Sequence, residues 1–507
     1  MTEYPADTVM DLLRCGGNEA PAIGAPGRPW LTHGGLRALA ERTVASLNRM
    51  GIGRGDRVAL VAPNGPEAAS CFVAIACGAT TAPLNPGYKL DEFAFYLGDT
   101  GAKALVVPAG FDTPARAAAA AKGIPVVDLV AKETAGWFSL EGPDGPAPAA
   151  GGFAAAEDVA LILHTSGTTS RPKIVPLRHV NVTASAYNIG RVLALTPDDV
   201  CMNIMPLFHI HGLIAATLAS LAAGGSVSCT PGFNGFRFYS LFEQIRPTWH
   251  TAVPTMHQTI LELAPRNKAA IAAGRLRFIR SSSSSLPAPV MTAMEAAFGV
   301  PVIESYGMTE AAHQMASNPL PPAPRYPGCV GVAAGPEVAI MSEDGTLLPA
   351  GGLGEVVIRG RNVTAGYENN PAANETGFRD GWFRTGDQGV IDAAGYLRLT
   401  GRLKELINRG GEKFSPLEVD EVLMDHPAVA QCLTFGVPHA KLGEEVGVAV
   451  VLRDGLAVKD TELREFCGER LAAFKVPRRV VFLTEIPKGA TGKPQRIGMA
   501  ERLGLVS

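Results

Sequence analysis

Short apolar runs punctuate the first third of the chain, at 58–62, 104–107, 125–130 and 160–163, and longer Ala-rich stretches with apolar positions at helical spacing lie between them. Strands buried on both faces read as unbroken apolar runs, and their parallel crossovers are helices, so this alternation predicts βα units around parallel sheets. The Pro-, Gly- and Ala-rich segment 142–152 predicts a surface loop ahead of the 160–163 strand. Further strands are expected at 433–437 and 447–452. The longest apolar stretch, 213–223, is interrupted by Thr217 and Ser220 and stops at Gly224-Gly225, too short to cross a bilayer.

At 507 residues the chain exceeds what one hydrophobic core supports, so two or more domains are expected. A net charge of -3 with 18% charged residues carries no excess of positive charge, which speaks against nucleic acid and anionic membranes as partners. The eight cysteines are scattered, mostly in apolar surroundings. That usage and an N-terminus with Asp7 and Asp11 ahead of any basic residue point to a reduced, cytoplasmic protein with no secretory leader.

The most specific string is Thr165-Ser166-Gly167-Thr168-Thr169-Ser170-Arg171-Pro172-Lys173, directly after the 160–163 run. A strand that ends in hydroxyls, a glycine and a lysine can turn N–H, O–H and ammonium donors toward a nucleotide's phosphates. It is not a Walker loop, because Lys173 follows proline and no Ser or Thr comes after it. The string 51–55, Gly-Ile-Gly-Arg-Gly, has the wrong spacing for a dinucleotide fingerprint and is assigned no cofactor.

The string resembles the phosphate loop of the adenylate-forming (acyl-CoA synthetase) superfamily, and the superfamily's other motifs follow in order: Tyr306-Gly307-Met308-Thr309-Glu310, Arg384-Thr385-Gly386-Asp387, Gly401-Arg402-Leu403-Lys404-Glu405 and Pro487-Lys488-Gly489-Ala490-Thr491-Gly492-Lys493. The resemblance implies an α/β fold with a large N-terminal domain, 1–400, and a small mobile α+β domain, 401–507. It implies ATP, CoA and Mg²⁺, and two half-reactions: a carboxylate attacks the α-phosphate to give an acyl-adenylate, then the CoA thiol displaces AMP. The residues implied to hold ATP are Thr165, Ser166, Gly167, Thr168, Thr169, Lys173, Glu304, Ser305, Tyr306, Thr309, Asp387, Arg402 and Lys493. Of these, Tyr306 would cover the adenine, Asp387 would accept from the ribose, and Lys493 would bridge carboxylate and α-phosphate; Glu310, outside that set, would hold the metal. Lys404 takes the hinge position, and Gly410 and Gly411 the face that meets CoA. Only 14 residues follow Lys493, so no fused carrier domain is expected and free CoA is the acceptor. Two departures stand out, Ile174 where Gly often follows Pro-Lys, and Pro494 after the lysine.

The segments expected to line the acid pocket, 206–212, 281–285 and 311–313, are polar, with three histidines and five serines. Such groups could satisfy a second carboxylate, which cannot be buried without partners. Here the chain resembles the oxalate-CoA ligase branch, which implies that His209, Ser283 and His313 face a small dicarboxylate. Alternatives stay open: His211 and His313 as satisfied core histidines, Tyr306 as core packing, Arg402 in a surface ion pair, a medium-chain or aromatic carboxylate-CoA ligase, or a non-catalytic nucleotide-binding relative.

Overall fold

The computed structural model describes residues 4–165, 172–488 and 494–506. Up to Arg402 the chain builds three sheets. The first is seven-stranded, in the order Phe138–Glu141, Val126–Ala131, Ala104–Pro108, Arg57–Leu60, Thr80–Pro83, Val159–Thr165, Lys173–Arg178. Its inner strands are parallel and both edge strands antiparallel. The apolar runs read from the sequence all fall here, and helices Pro66–Ala76, Leu90–Asp99 and Pro114–Ala121 make the crossovers.

The second sheet has nine strands and is parallel from Val302–Met308 through Phe278–Ser281, Trp249–Ala252, Val200–Asn203 and Ser226–Cys229 to Pro21–Gly24. Helix Pro66–Ala76 is apolar nearly all round, as a helix buried between two sheets must be, and it touches strands of both. Among the described residues no helix is long and apolar enough to cross a membrane.

The third sheet, five-stranded and antiparallel, was not foreseen. Its long strand Trp382–Ile391 alternates buried and half-buried positions, the pattern of a sheet with one wet face, which a search for unbroken apolar runs passes over. Its last strand, Leu397–Arg402, pairs Arg402 with Asp387, so the expected boundary at 401 falls inside this sheet. The following sheet begins at Ile407–Arg409, and residues 403–406 form the connection. That sheet is also five-stranded, contains both strands expected near 433 and 447, and has its own core of Ile407, Phe414, Val419, Leu423, Val446, Val448 and Leu463.

Residues 360–368, between strand Leu353–Arg359 and helix Pro371–Gly377, stitch the three large sheets together. Asn362 Nδ2 donates to the carbonyls of Ala311 (2.8 Å) and Gln314 (3.0 Å). Thr364 donates from Oγ1 to Pro176 O (2.8 Å) and from its N–H to Glu310 O (2.7 Å). Asn181 Nδ2 reaches back to Arg361 O and Val363 O, and Arg57 Nη2 donates to both oxygens of Glu368 at 2.7 Å. Buried amides and carbonyls need partners, and this irregular segment supplies them to its neighbours.

Candidate active site

Thr165 and Lys173, the first and last residues of the phosphate-loop string, pair at the end of the antiparallel strands Val159–Thr165 and Lys173–Arg178. Ser166, Gly167, Thr168 and Thr169 lie outside the described residues. Ile174 takes an ordinary strand position, its side chain buried beside Ala82 and Ile162, so the departure from glycine leaves the strand intact. Lys173 Nζ sits 4.3 Å from the centre of the Tyr367 ring, and Tyr367 Oη donates to Glu310 Oε1 at 2.8 Å. Glu310 is buried in the short turn Thr309–Ala311. Burial pushes its carboxyl above the usual range, while the Tyr367 bond and the charges of Arg402 and Lys173 pull it back.

Asp387 is the second buried carboxylate. Tyr306 Oη donates to its Oδ2 and Arg402 Nε to its Oδ1 at 2.9 Å. Tyr306 is thus both a buried ring and a polar anchor, and Arg402 makes an ion pair whose other member is itself a candidate ribose acceptor. Glu304, expected at the nucleotide, is 1% exposed, and its Oε1 accepts from the Leu286 N–H at 2.8 Å. Burial raises it to about 8. Ser305 donates to Ser281 O (3.3 Å) and accepts at its carbonyl from Ser282 Oγ (3.0 Å), locking adjacent strand ends.

Residues expected to line the acid pocket come together in one polar cluster. His211 is fully buried at the start of a π-helical stretch, His211–Leu218, where the widened backbone leaves Gly212 O to accept from Thr217 Oγ1 (2.8 Å) and Asn203 Nδ2 (3.2 Å). Its Nδ1 lies 3.0 Å from Ser283 Oγ and its Nε2 2.6 Å from Thr251 Oγ1. The His313 ring stands 5.0 Å from that of His211, and His313 Nδ1 is 3.5 Å from Arg280 Nη2. Ser283 (φ 74°), Ala312 (φ 49°) and His313 (φ 104°) all hold left-handed backbone without being glycine. Each such residue costs about 1–3 kcal/mol, and such strain gathers at functional sites. Gly307 makes room for it, since a Cβ there would lie 1.8 Å from His313 O. His209 is half-buried, and its Nδ1 accepts from the His211 N–H at 3.5 Å.

In the small C-terminal unit, Gly410 (φ 64°) and Gly411 (φ 96°) form the exposed two-residue turn between Ile407–Arg409 and Glu412–Phe414. Positive φ at both central positions is what a tight hairpin of this hand demands. Lys404 is exposed in the 403–406 connection. Lys493 lies outside the described residues; Lys488 and Pro494 form an antiparallel bridge, which gives the proline an ordinary paired position.

The AMP-binding enzyme family matches residues 16–368, and the AMP-binding enzyme C-terminal domain matches residues 418–493. The chain belongs to the AMP-binding enzyme family. A probable CoA ligase of Humulus lupulus is 47% identical over 95% of this chain and 93% of its own. The oxalate-CoA ligase of Arabidopsis thaliana is 45% identical over 97% and 98%, and that of Saccharomyces cerevisiae 43% over 88% and 87%. Among solved structures, ATP-bound MatB from Rhodopseudomonas palustris superposes with a TM-score of 0.87 at 31% identity, covering 98% of each chain. This AMP-binding enzyme is therefore an AMP-forming acid-thiol ligase with ATP and CoA as co-substrates, and its resemblance to the oxalate-CoA ligase branch is borne out.

Within this AMP-binding enzyme the fold brings Glu310 to Lys173 and Tyr367, Asp387 to Tyr306 and Arg402, and Ser283 to His211, whose ring stands beside His313. Sequence reasoning passed over Tyr367, Thr251 and Arg280, and placed His211 only among the lining. A signal for Arg280 existed: a charge in the parallel strand Phe278–Ser281, where only buried residue types are expected.

Proposed function

We propose that the acid is oxalate and that the enzyme makes oxalyl-CoA. One oxalate carboxylate attacks the α-phosphate of ATP, the bond to the leaving diphosphate breaks, and oxalyl-adenylate forms. The CoA thiol, losing its proton, then attacks the acyl carbon and expels AMP. The observation that supports oxalate is the polar cluster of buried His211, His313 and Arg280 with half-buried Ser283, which offers several donors in a small space. A fatty-acid site would present apolar walls there. The oxalate-CoA ligases of the two organisms above agree with this reading.

In this scheme Lys173, Thr165 and Thr309 donate to the phosphates, Asp387 receives the ribose hydroxyls, and Tyr306 lies against the adenine. Lys493 neutralises charge on the reacting carboxylate and α-phosphate. Glu310, a buried carboxylate beside an ammonium, is suited to one hard cation that also binds phosphate oxygens, as Mg²⁺ does. When bound, Mg²⁺ would draw charge from those oxygens. His209, Ser283 and His313 face the second carboxylate, and Gly410 and Gly411 meet the pantetheine arm.

The test is ATP- and CoA-dependent AMP release with oxalate, malonate, acetate, octanoate and benzoate. We expect the highest kcat/KM with oxalate and at least about 100-fold less with acetate, because polar groups desolvated around nothing disfavour the shorter-handed acid. A higher kcat/KM for octanoate or benzoate than for oxalate refutes the reading and favours a medium-chain or aromatic ligase.

A further inference from the structure

Arg280 projects from the interior strand Phe278–Ser281 and is 0% exposed. Among the described residues no Asp or Glu pairs with it, and its Nε has no partner. What it touches is neutral: Thr251 Oγ1 at 3.3 Å, Gln314 Oε1 at 3.3 Å and His313 Nδ1 at 3.5 Å. A buried charge without a counter-charge is costly, and a chain that keeps one has a use for it. The same protein treats a structural arginine differently. Arg496, also largely buried, is held by Asp420 (2.9 Å) and Glu405 (3.1 Å).

The contacts of Arg280 also fix where protons lie. A guanidinium has no acceptor, so His313 Nδ1 must accept, and the His313 proton resides on Nε2. Thr251 Oγ1 accepts from Arg280 Nη1, so its own hydrogen is available to His211 Nε2, 2.6 Å away. With that hydrogen donated to Nε2, His211 would carry its proton on Nδ1 and donate it to Ser283 Oγ, 3.0 Å away, which would leave the Ser283 hydroxyl hydrogen to be offered onward. Two arms start at one cation, and both end in donors. Hydrogen bonds in such chains polarise one another in a low-dielectric interior. Burial lowers the guanidinium only to about 9, so the charge persists at neutral pH.

We infer that Arg280 is a positioning residue: its uncompensated buried charge turns His313 and Ser283 into donors toward the second, anionic group of the acid. This rests on the diacid reading above.

The experiment compares oxalate with oxamate, which matches it in shape but replaces one carboxylate by a neutral amide. In Arg280→Met we expect the oxalate-to-oxamate ratio of kcat/KM to fall about 100-fold, mainly through the KM for oxalate, with ATP binding changed by less than about threefold and part of the loss restored in Arg280→Lys. A folded Arg280→Met enzyme that keeps the wild-type ratio overturns the assignment. A wild type that prefers oxamate overturns the oxalate reading instead. The Arg280 assignment is then decided without substrate, by ¹⁵N-histidine spectra of the wild type, which also decide it where Arg280→Met does not fold. Nε2–H in His313 with Nδ1–H in His211 upholds it, and the opposite tautomers overturn it.

Discussion

Glu304 lies two residues before Tyr306, and its consequence is for stability. Its ordinary value is 4.5 and burial raises it to about 8 in the folded enzyme. A carboxyl raised in this way favours the folded state most below its unfolded value, and that contribution is lost as pH rises toward the folded one, by up to about 1.4 kcal/mol per pH unit. Glu304→Gln keeps an oxygen for the Leu286 N–H but has no proton to lose. Its Tm should therefore fall less steeply than the wild type's between pH 5 and pH 8, as thermal melts across that range would show; parallel melting curves would contradict the assignment. At this scale the legible residues were those inside ordered strings, such as Glu310 and Asp387. Tyr367 and Thr251 were not legible, because their site contacts run to residues 29 or more positions away, and no local spacing encodes such contacts. Arg280 was legible only as an anomaly, a charge in a strand that periodicity buries.

Elements were read best where burial is two-sided. Four of the five parallel strands of the first sheet were found as apolar runs within a residue or two of their ends; Thr80–Pro83 and the short strands of the second sheet were not, and the antiparallel third sheet alternates and escaped notice. The glycine pair Gly410-Gly411 illustrates a different limit: the turn itself requires positive φ, so the pair would be there with or without a ligand. The connection 403–406 lies between two sheets with separate cores, so in the proposed scheme rotation of the small unit would depend on it. Lys404→Pro fixes φ there. Pyrophosphate release with oxalate and ATP should survive in this variant while oxalyl-CoA formation drops at least about tenfold, measured in single turnovers. Unimpaired thioester formation would move the hinge elsewhere.

For the whole molecule, in the proposed scheme the small unit serves the two half-reactions differently, and Lys493→Ala should separate them in the reverse sense. Adenylate formation should slow by on the order of 100-fold or more, because a charge-assisted contact made in the transition state is lost, while thioester formation from supplied oxalyl-adenylate continues. Equal loss in both steps would instead indicate a folding defect. The segment 360–368 carries a further consequence, for how the enzyme is assembled from an unfolded chain. Its hydrogen-bond partners lie up to 311 positions away along the chain, on strands, a helix and a turn of the first two sheets' layers, so we expect its bonds to close only after those sheets have formed and docked. Tyr367 rides on that segment, and through it Glu310 receives its partner. During refolding, then, secondary structure and burial should recover ahead of any capacity to release pyrophosphate, and the lag between them times the closing of a single irregular stretch of chain.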